Sequence, residues 1–341
     1  MTFDRKQLQK TLTRARLAAI LGKFFTIPPE ILSYKANNRG KTNLVYFLAT
    51  KDKPLILHIL NPSTNMGFTR NQEDLDYTIS FENAVREGGV PLAYRYPGPT
   101  GQGYVVERLG EAIYFVTLHD FVPGRHHRSL DTAKLRTLGA TVARMHRAVE
   151  NFSPTALPSR NWSVSELPEQ FFERQQKGHT NPNLESYLAE LDATGKEARR
   201  FIVEKVKGLA KFPVHQDING ANLIYQDNRL QAIIDFDNSH DDYLFEDLVT
   251  PLLNHCGFTS SKLTSQATHH FLDSYAQHRS FPDLELELCL YAWLAFQAWY
   301  GATTLANKFE DRAYTPNNLE SLAKRTQARV QNIQQMLRKT V

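Results

Sequence analysis

The chain has 341 residues, 41% hydrophobic and 22% charged. That composition excludes disordered and collagen-like classes, and the length allows a core that needs no disulfide or structural metal. The net charge of +4 is too small to argue for nucleic acid, but it is unevenly placed. Residues 1–70 carry 12 Lys and Arg against 3 Asp and Glu. Residues 230–261 carry no Lys or Arg and six carboxylates: Asp235, Asp237, Asp241, Asp242, Glu246 and Asp247. Cys256 and Cys289 sit in apolar runs and read as small buried hydrophobes in a reducing compartment. No apolar run approaches the length of a membrane span, and the charged start does not read as a secretory signal. The expectation is a cytoplasmic chain with neither a membrane nor a nucleic-acid partner.

In chain order, Leu8, Leu12, Leu17 and Ile20 predict an amphipathic helix over 4–22. Runs rich in β-branched and aromatic residues predict strands at 31–36, 44–50 and 54–60. Residues 72–87 read as a helix stopped by Gly88-Gly89, followed by strands near 104–108 and 112–117. Pro123-Gly124 marks a boundary. Helical periodicity then dominates at 130–150, 165–176, 182–208, 243–255, 260–277, 283–308 and 317–338, interrupted by strand-like runs at 223–225 and 230–236. The layout is α+β: a sheet-rich lobe over 1–118 and a mainly helical lobe over 119–341.

The sharpest motif is Val214-His215-Gln216-Asp217-Ile218-Asn219-Gly220-Ala221-Asn222-Leu223, which contains His-x-Asp-x4-Asn. Thirteen residues after Asn222 comes Ile233-Ile234-Asp235-Phe236-Asp237. A loop Asp, an Asn five residues on and a later Asp after a strand are the parts used to transfer a phosphoryl group from ATP. Such a reaction needs an aimed hydroxyl, neutralised phosphates and magnesium. Asp217 is the candidate base. Asn222 and Asp235 are the candidate Mg2+ ligands, since magnesium takes few protein oxygens beside those of phosphate. Asp237 is either a second metal contact or a residue facing substrate. His215 reads as a loop anchor.

These residues resemble the aminoglycoside phosphotransferase and choline kinase family, small-molecule relatives of the protein kinases. Leu138 to His146 resembles the family's helix ending in Leu-His, 212–223 its catalytic loop, and Phe245-Glu246-Asp247-Leu248 the segment with its later Asp. The resemblance implies a protein-kinase-like two-lobed fold with a small antiparallel sheet. It implies Asp217 as catalytic base, Asn222 and Asp235 as magnesium ligands, and Asp247 as a structural support. For Asp247 the plain alternative is an acidic residue in the first turn of a helix.

On the nucleotide side, Arg39-Gly40-Lys41-Thr42-Asn43-Leu44-Val45-Tyr46 resembles the family's Gly-x-x-Asn-x-x-Tyr loop over the ATP phosphates. Arg39, Gly40, Lys41 and Thr42 are therefore expected to bind nucleotide, although the same run reads as an ordinary hairpin turn. The third strand of the family carries a basic residue that grips phosphate, and here His58 takes that place. N-acetylhexosamine kinases of the family also lack the lysine and have a similar strand followed by Asn, as in Leu60-Asn61. Arg39, Lys41 or Lys53 are the candidate replacements. Glu73, Asp74 and Glu82 on the following helix are all candidate partners of the basic residue. Adenine is expected against the crossover, at Leu118 and Asp120.

On the acceptor side, Asp241, Asp242 and Glu246 read as a solvated loop or as a rim attracting an amine. Arg125 to Arg128 read as surface charge or as an anion contact. Trp293, Phe296, Trp299 and Tyr300 read as core at helical spacing. The sequence thus predicts an ATP- and Mg2+-dependent phosphotransferase acting on a hydroxyl of a small molecule such as a sugar, amino alcohol or aminoglycoside, with the homoserine kinase-like and N-acetylhexosamine kinase branches as the nearest resemblance. The alternative, raised by His58, is a catalytically degenerate nucleotide-binding scaffold.

Overall fold

A computed structural model describes residues 5–37, 43–62, 70–127, 129–152, 164–165, 182–257, 264–280, 282–309 and 316–340. Five strands, β1 (Ile31–Asn37), β2 (Leu44–Thr50), β3 (Leu55–Ile59), β4 (Val105–Leu109) and β5 (Ala112–Asp120), form one antiparallel sheet in the order β1-β2-β3-β5-β4. In β2 and β3 every second residue is buried: Leu44, Tyr46 and Leu48 in one, Leu55, Leu57 and Ile59 in the other. This alternation puts one face of the sheet against a core shared with Leu8, Leu12, Leu17, Ile20 and Leu21. Those N-terminal residues form two short helices where one was predicted, α1 (Arg5–Thr11) and α2 (Arg14–Leu21). The chain breaks because Thr13 is extended and its hydroxyl accepts from Arg16 N–H, capping the second helix. The opposite sheet face carries Val45, Ile56, His58, Thr117 and His119 and is left for the cleft.

Helix α3 (Gln72–Glu87) begins in a capping box, with Asn71 bonded to Asp74 N–H and Asp74 bonded back to Asn71 N–H. Its Phe81 and Val85 belong to the core of the helical part, where Phe81 meets Phe236 edge-on at 5.4 Å. The helix therefore joins the two parts of the chain. A domain boundary between residues 118 and 119 falls inside β5, which runs to Asp120.

The second part holds α4 (Thr132–Val149), α5 (Pro182–Lys205), α6 (Val249–Pro251), α7 (Thr264–Ala276), α8 (Asp283–Phe309) and α9 (Pro316–Thr340). Helix α8 packs between α5 and α9, and α4 against α7. Gly139 permits the latter contact, because a Cβ there would collide with the Phe271 backbone. The predicted helix at 243–255 is a 3-10 turn (Leu244–Leu248), α6 and a π turn (Leu252–Gly257). The predicted helix at 165–176 lies outside the described residues. Two small two-stranded sheets complete this part. The first pairs β6 (Phe212–Val214) with β9 (His240–Asp242), and the second pairs β7 (Leu223–Gln226) with β8 (Arg229–Ile233).

Candidate active site

The register of the β7–β8 hairpin builds the floor of the cleft. Leu223 pairs with Ile233, and Ile234 N–H donates to the Asn222 carbonyl at 3.0 Å, so the end of the candidate catalytic loop lies beside the residue that precedes Asp235. His215 fastens the two strands of chain together. Its Nδ1 accepts from Asp217 N–H at 3.2 Å, which leaves Nε2 to donate to the Ile234 carbonyl at 3.2 Å. Its ring packs on Phe236 at 4.4 Å.

The Asp217 carboxylate is fixed at both oxygens. Asn219 Nδ2 donates to Oδ1 at 2.6 Å, and Asn222 Nδ2 donates to Oδ2 at 3.0 Å and to the Asp217 carbonyl at 2.9 Å. With its N–H groups turned to Asp217, Asn222 presents its amide oxygen, the atom a metal would take. Asn219, not singled out by the motif, is thus a second holder of the Asp217 carboxylate.

Asp247 anchors the loop from below. It is fully buried and accepts from His215 N–H at 3.0 Å and Gln216 N–H at 2.7 Å. Gln216 adopts a left-handed φ of 64°, an uncommon conformation for a side-chain-bearing residue, and this turns both N–H groups toward one carboxylate. Thr250 Oγ1 donates to the Gln216 carbonyl at 2.9 Å. Burial works against ionisation of Asp247, but the adjoining His146, 3.4 Å away, and His215 hold its carboxyl below the usual range.

Asp235 also adopts a left-handed φ, 67°, and opens to solvent at the cleft floor. Protein nevertheless crowds it on its other sides. That desolvation, followed by repulsion from Asp237 and Asp217, raises its carboxyl to about 7. Such crowding of carboxylates is what a bound cation relieves. Asp237 is engaged differently. Desolvation opposes its charge, but Arg70 and Asn43 hold it well below the usual range. Asn43 Nδ2 donates to Oδ2 at 2.5 Å and Arg70 Nη2 to the same oxygen at 3.0 Å. The ring of contacts closes within the sheet part: Asn61 N–H donates to Asn43 Oδ1 at 3.0 Å, and Arg70 Nε donates to the Asn61 carbonyl at 3.3 Å. Asp237 thus links the two parts of the chain.

Among the described residues no group of three or more His, Cys, Asp or Glu is placed to hold a metal ion alone. One Asp and one Asn beside a polyphosphate are the donor set that suits magnesium, which keeps few protein ligands. The residues present fit the ion.

The roof of the cleft narrows some of the choices left open by the sequence. Arg39, Gly40, Lys41 and Thr42 lie outside the described residues. His58 stands on the cleft face of β3, its ring 5.2 Å from that of His119. Desolvation, reinforced by Arg95 and Arg70 and opposed by Asp237, lowers its imidazole to about 4, so it is uncharged at neutral pH. Of the three acidic candidates on α3, Glu82 has the cation: Arg95 Nε and Nη2 bind its two oxygens at 2.8 and 2.5 Å. Asp74 belongs to the capping box. Lys53 is held by Asp120 at 2.8 Å, at the far end of β3.

The crossover residues are also engaged. The Leu118 side chain lies in the sheet core, and its carbonyl accepts from Tyr96 N–H at 2.9 Å. Asp120 N–H donates to the Tyr94 carbonyl at 2.9 Å, and its carboxylate accepts from Tyr96 Oη at 2.7 Å. These groups serve the sheet. The side chains facing the cleft there are Thr117, His119 and Phe121, the last edge-on to Phe47.

The acidic stretch after Asp237 is not a solvated loop. Asp242 and Glu246 are fully buried, and Asp241 accepts from Tyr77 Oη at 2.5 Å, tying it to α3. Pairing of β9 with β6 draws Asp242 inward, and Glu246 lies in the 3-10 turn that follows. Arg125 pairs with Tyr225, and His126 Nδ1 lies 3.1 Å from the Leu223 carbonyl, so that run braces the β7–β8 hairpin, while Arg128 lies outside the described residues. Trp293 is fully buried.

Residues 33–293 match the phosphotransferase enzyme family, APH. A homoserine kinase of Pseudomonas aeruginosa is 25% identical over 91% of this chain and 96% of its own length. The structure of an aminoglycoside phosphotransferase from Alicyclobacillus acidocaldarius aligns with a TM-score of 0.65 at 14% identity, over 94% of this chain and 96% of that one. An amicoumacin kinase in complex with AMP-PNP and Ca2+ aligns with a TM-score of 0.61 at 16% identity, over 96% of each chain. No described helix is long and apolar enough to cross a membrane. With the kinase-like fold present and the match covering most of the chain, this protein belongs to the phosphotransferase enzyme family, enzymes that phosphorylate hydroxyl groups of small molecules.

Proposed function

We propose that the protein transfers the γ-phosphoryl group of ATP, with Mg2+, to the hydroxyl of a small amino alcohol or amino acid such as homoserine. The observation that carries the reading is the convergence of Asp217, Asn222 and Asp235 on one cleft floor, with Asp217 held at both oxygens and Asp235 open to solvent. The full-length similarity to a homoserine kinase makes that acceptor the first to test.

Asp217 would accept the hydroxyl proton, and the two amides that hold it fix the orientation of its carboxylate. Asn222 and Asp235 would hold the magnesium. The ion, when bound, neutralises phosphate charge as the phosphoryl group departs. Asp247, through the two backbone N–H groups it accepts, keeps the base in register with the metal strand. Positioning of this kind is most of what phosphoryl transfer asks of a protein. The neutral His58 by itself does not favour a degenerate scaffold, because Asp217, Asn222 and Asp235, the candidate base and metal ligands, are all present in the sequence.

The test is ATP consumption with homoserine, simple amino alcohols, aminoglycosides and hexoses as acceptors. Acceptor-dependent release of ADP with homoserine is expected. ADP release only with a hexose or an aminoglycoside would move the acceptor class, and ATP binding without turnover on any acceptor would contradict the reading.

A further inference from the structure

In this fold one basic side chain on β3 is expected to do two things at once: bind nucleotide phosphate and pair with a carboxylate on α3. Here the residue at that position, His58, is uncharged at neutral pH, and a neutral imidazole offers a hydrogen bond without fixed charge. The pairing task belongs to Arg95, which spends Nε and Nη2 on Glu82. Lys53 is committed to Asp120 away from the metal strand. The phosphate task is therefore unassigned on the described part of the sheet.

We propose that Arg70, immediately before α3, is the cation that contacts the β- and γ-phosphates, so that the two tasks of one strand residue are divided between Arg70 and Arg95. The assignment rests on the nucleotide-binding reading given above. Four observations carry it. Arg70 is buried, its side chain 2% exposed, at the place where the sheet part meets the metal strand. Its charge acts on Asp235, Asp237 and His58 alike, so it lies near both the candidate magnesium ligand and the vacated strand position. Its orientation is fixed from two sides, Nη2 on Asp237 at 3.0 Å and Nε on the Asn61 carbonyl at 3.3 Å. Among the described residues Nη1 has no hydrogen-bond partner, so one edge of the guanidinium remains to be filled. A guanidinium locked by a carboxylate on one edge and presenting donors on another is pre-organised for a phosphate oxygen in a way a flexible lysine is not.

The experiment compares Arg70→Gln, which keeps an amide donor toward Asp237 but loses the charge, with Arg70→Lys, which keeps the charge. ADP, AMP and adenosine are titrated calorimetrically against each protein without metal. Loss of one charge-assisted contact predicts that Arg70→Gln weakens ADP binding about 10-fold or more while AMP and adenosine stay within about twofold of wild type. Arg70→Lys should recover part of the ADP loss, and adding His58→Lys to Arg70→Gln should do the same. Equal weakening of all three ligands in Arg70→Gln would show that Arg70 only holds the two parts together and would overturn the assignment. A wild-type protein that binds ADP no better than adenosine would also overturn it, with the kinase reading intact. Failure of the wild type to bind any of the three would remove that reading, and this assignment with it.

Discussion

The cleft floor and the cleft roof are assembled over different distances in the chain. Most of the floor comes from residues 215–250, where a loop, a hairpin and a short turn bring Asp217, Asn222, Asp235 and Asp247 together. The roof gathers Asn43, His58, Arg70, Glu82 and Arg95 from a strand, three loops and a helix, and closes onto Asp237, 194 residues from Asn43 and 167 from Arg70. In the floor, roles go with fixed spacing because the backbone geometry between the residues is fixed. In the roof, a charge can change its place in the sequence and still serve the same point in space, so spacing carries little information.

Variants can break this comparison at several levels. The largest expected effect is at Asp235. Asp235→Ala removes the candidate metal carboxylate and should abolish magnesium-dependent stabilisation by ATP in a thermal shift measurement, while metal-free ADP still binds. An undiminished shift with Mg·ATP would take Asp235 out of the metal site.

Next comes Asp247, whose loss would leave two buried N–H groups and His146 without their shared acceptor. Asp247→Ala should destabilise the fold by about 3 kcal/mol, judged by denaturant unfolding, and lower turnover as the loop loosens. Wild-type stability in that variant would deny Asp247 its anchoring role.

The smallest effect is a pH dependence. The Asp235 carboxyl is raised from an ordinary value of 3.8 to about 7, so the fold favours its protonated form. The ligand-free protein should lose stability as pH rises between those values and level off above them. Solvent access to Asp235 keeps the slope shallow. Magnesium binding should tighten over the same interval, because the ligand must be ionised. In Asp235→Asn the stability slope should flatten, and an unchanged slope would assign it to other groups.

Much of the fold was legible in the sequence because local chemistry decides it. Helix α3 is bounded by Asn71 and Gly88, and β2 and β3 fall on the runs rich in β-branched and aromatic residues. The floor was legible for the same reason, since the Asp217-to-Asn222 spacing and the strand before Asp235 are local. Three features were not. The break at Thr13 depends on a single cap within an otherwise continuous apolar pattern. Strands β6 and β9 have three residues each, too few for an alternation to register, and their pairing is what buries Asp242. The choice of Glu82 over Glu73 and Asp74 required the position of Arg95, which follows Val90-Pro91 on a segment bridged to His119, outside the predicted strands. Asn219 carried a weak local signal, as an amide two residues after the candidate base, and its bond to Asp217 Oδ1 emerges only in the folded loop.

The central claim is that Asp217, held by Asn219 and Asn222, is the base of a phosphoryl transfer carried out on this floor. Single-turnover kinetics of Asp217→Asn with Mg·ATP and the acceptor found for the wild type test it most directly. The account predicts a rate lower by about 10²–10⁴-fold with nucleotide affinity little changed. A wild-type rate in that variant would contradict it.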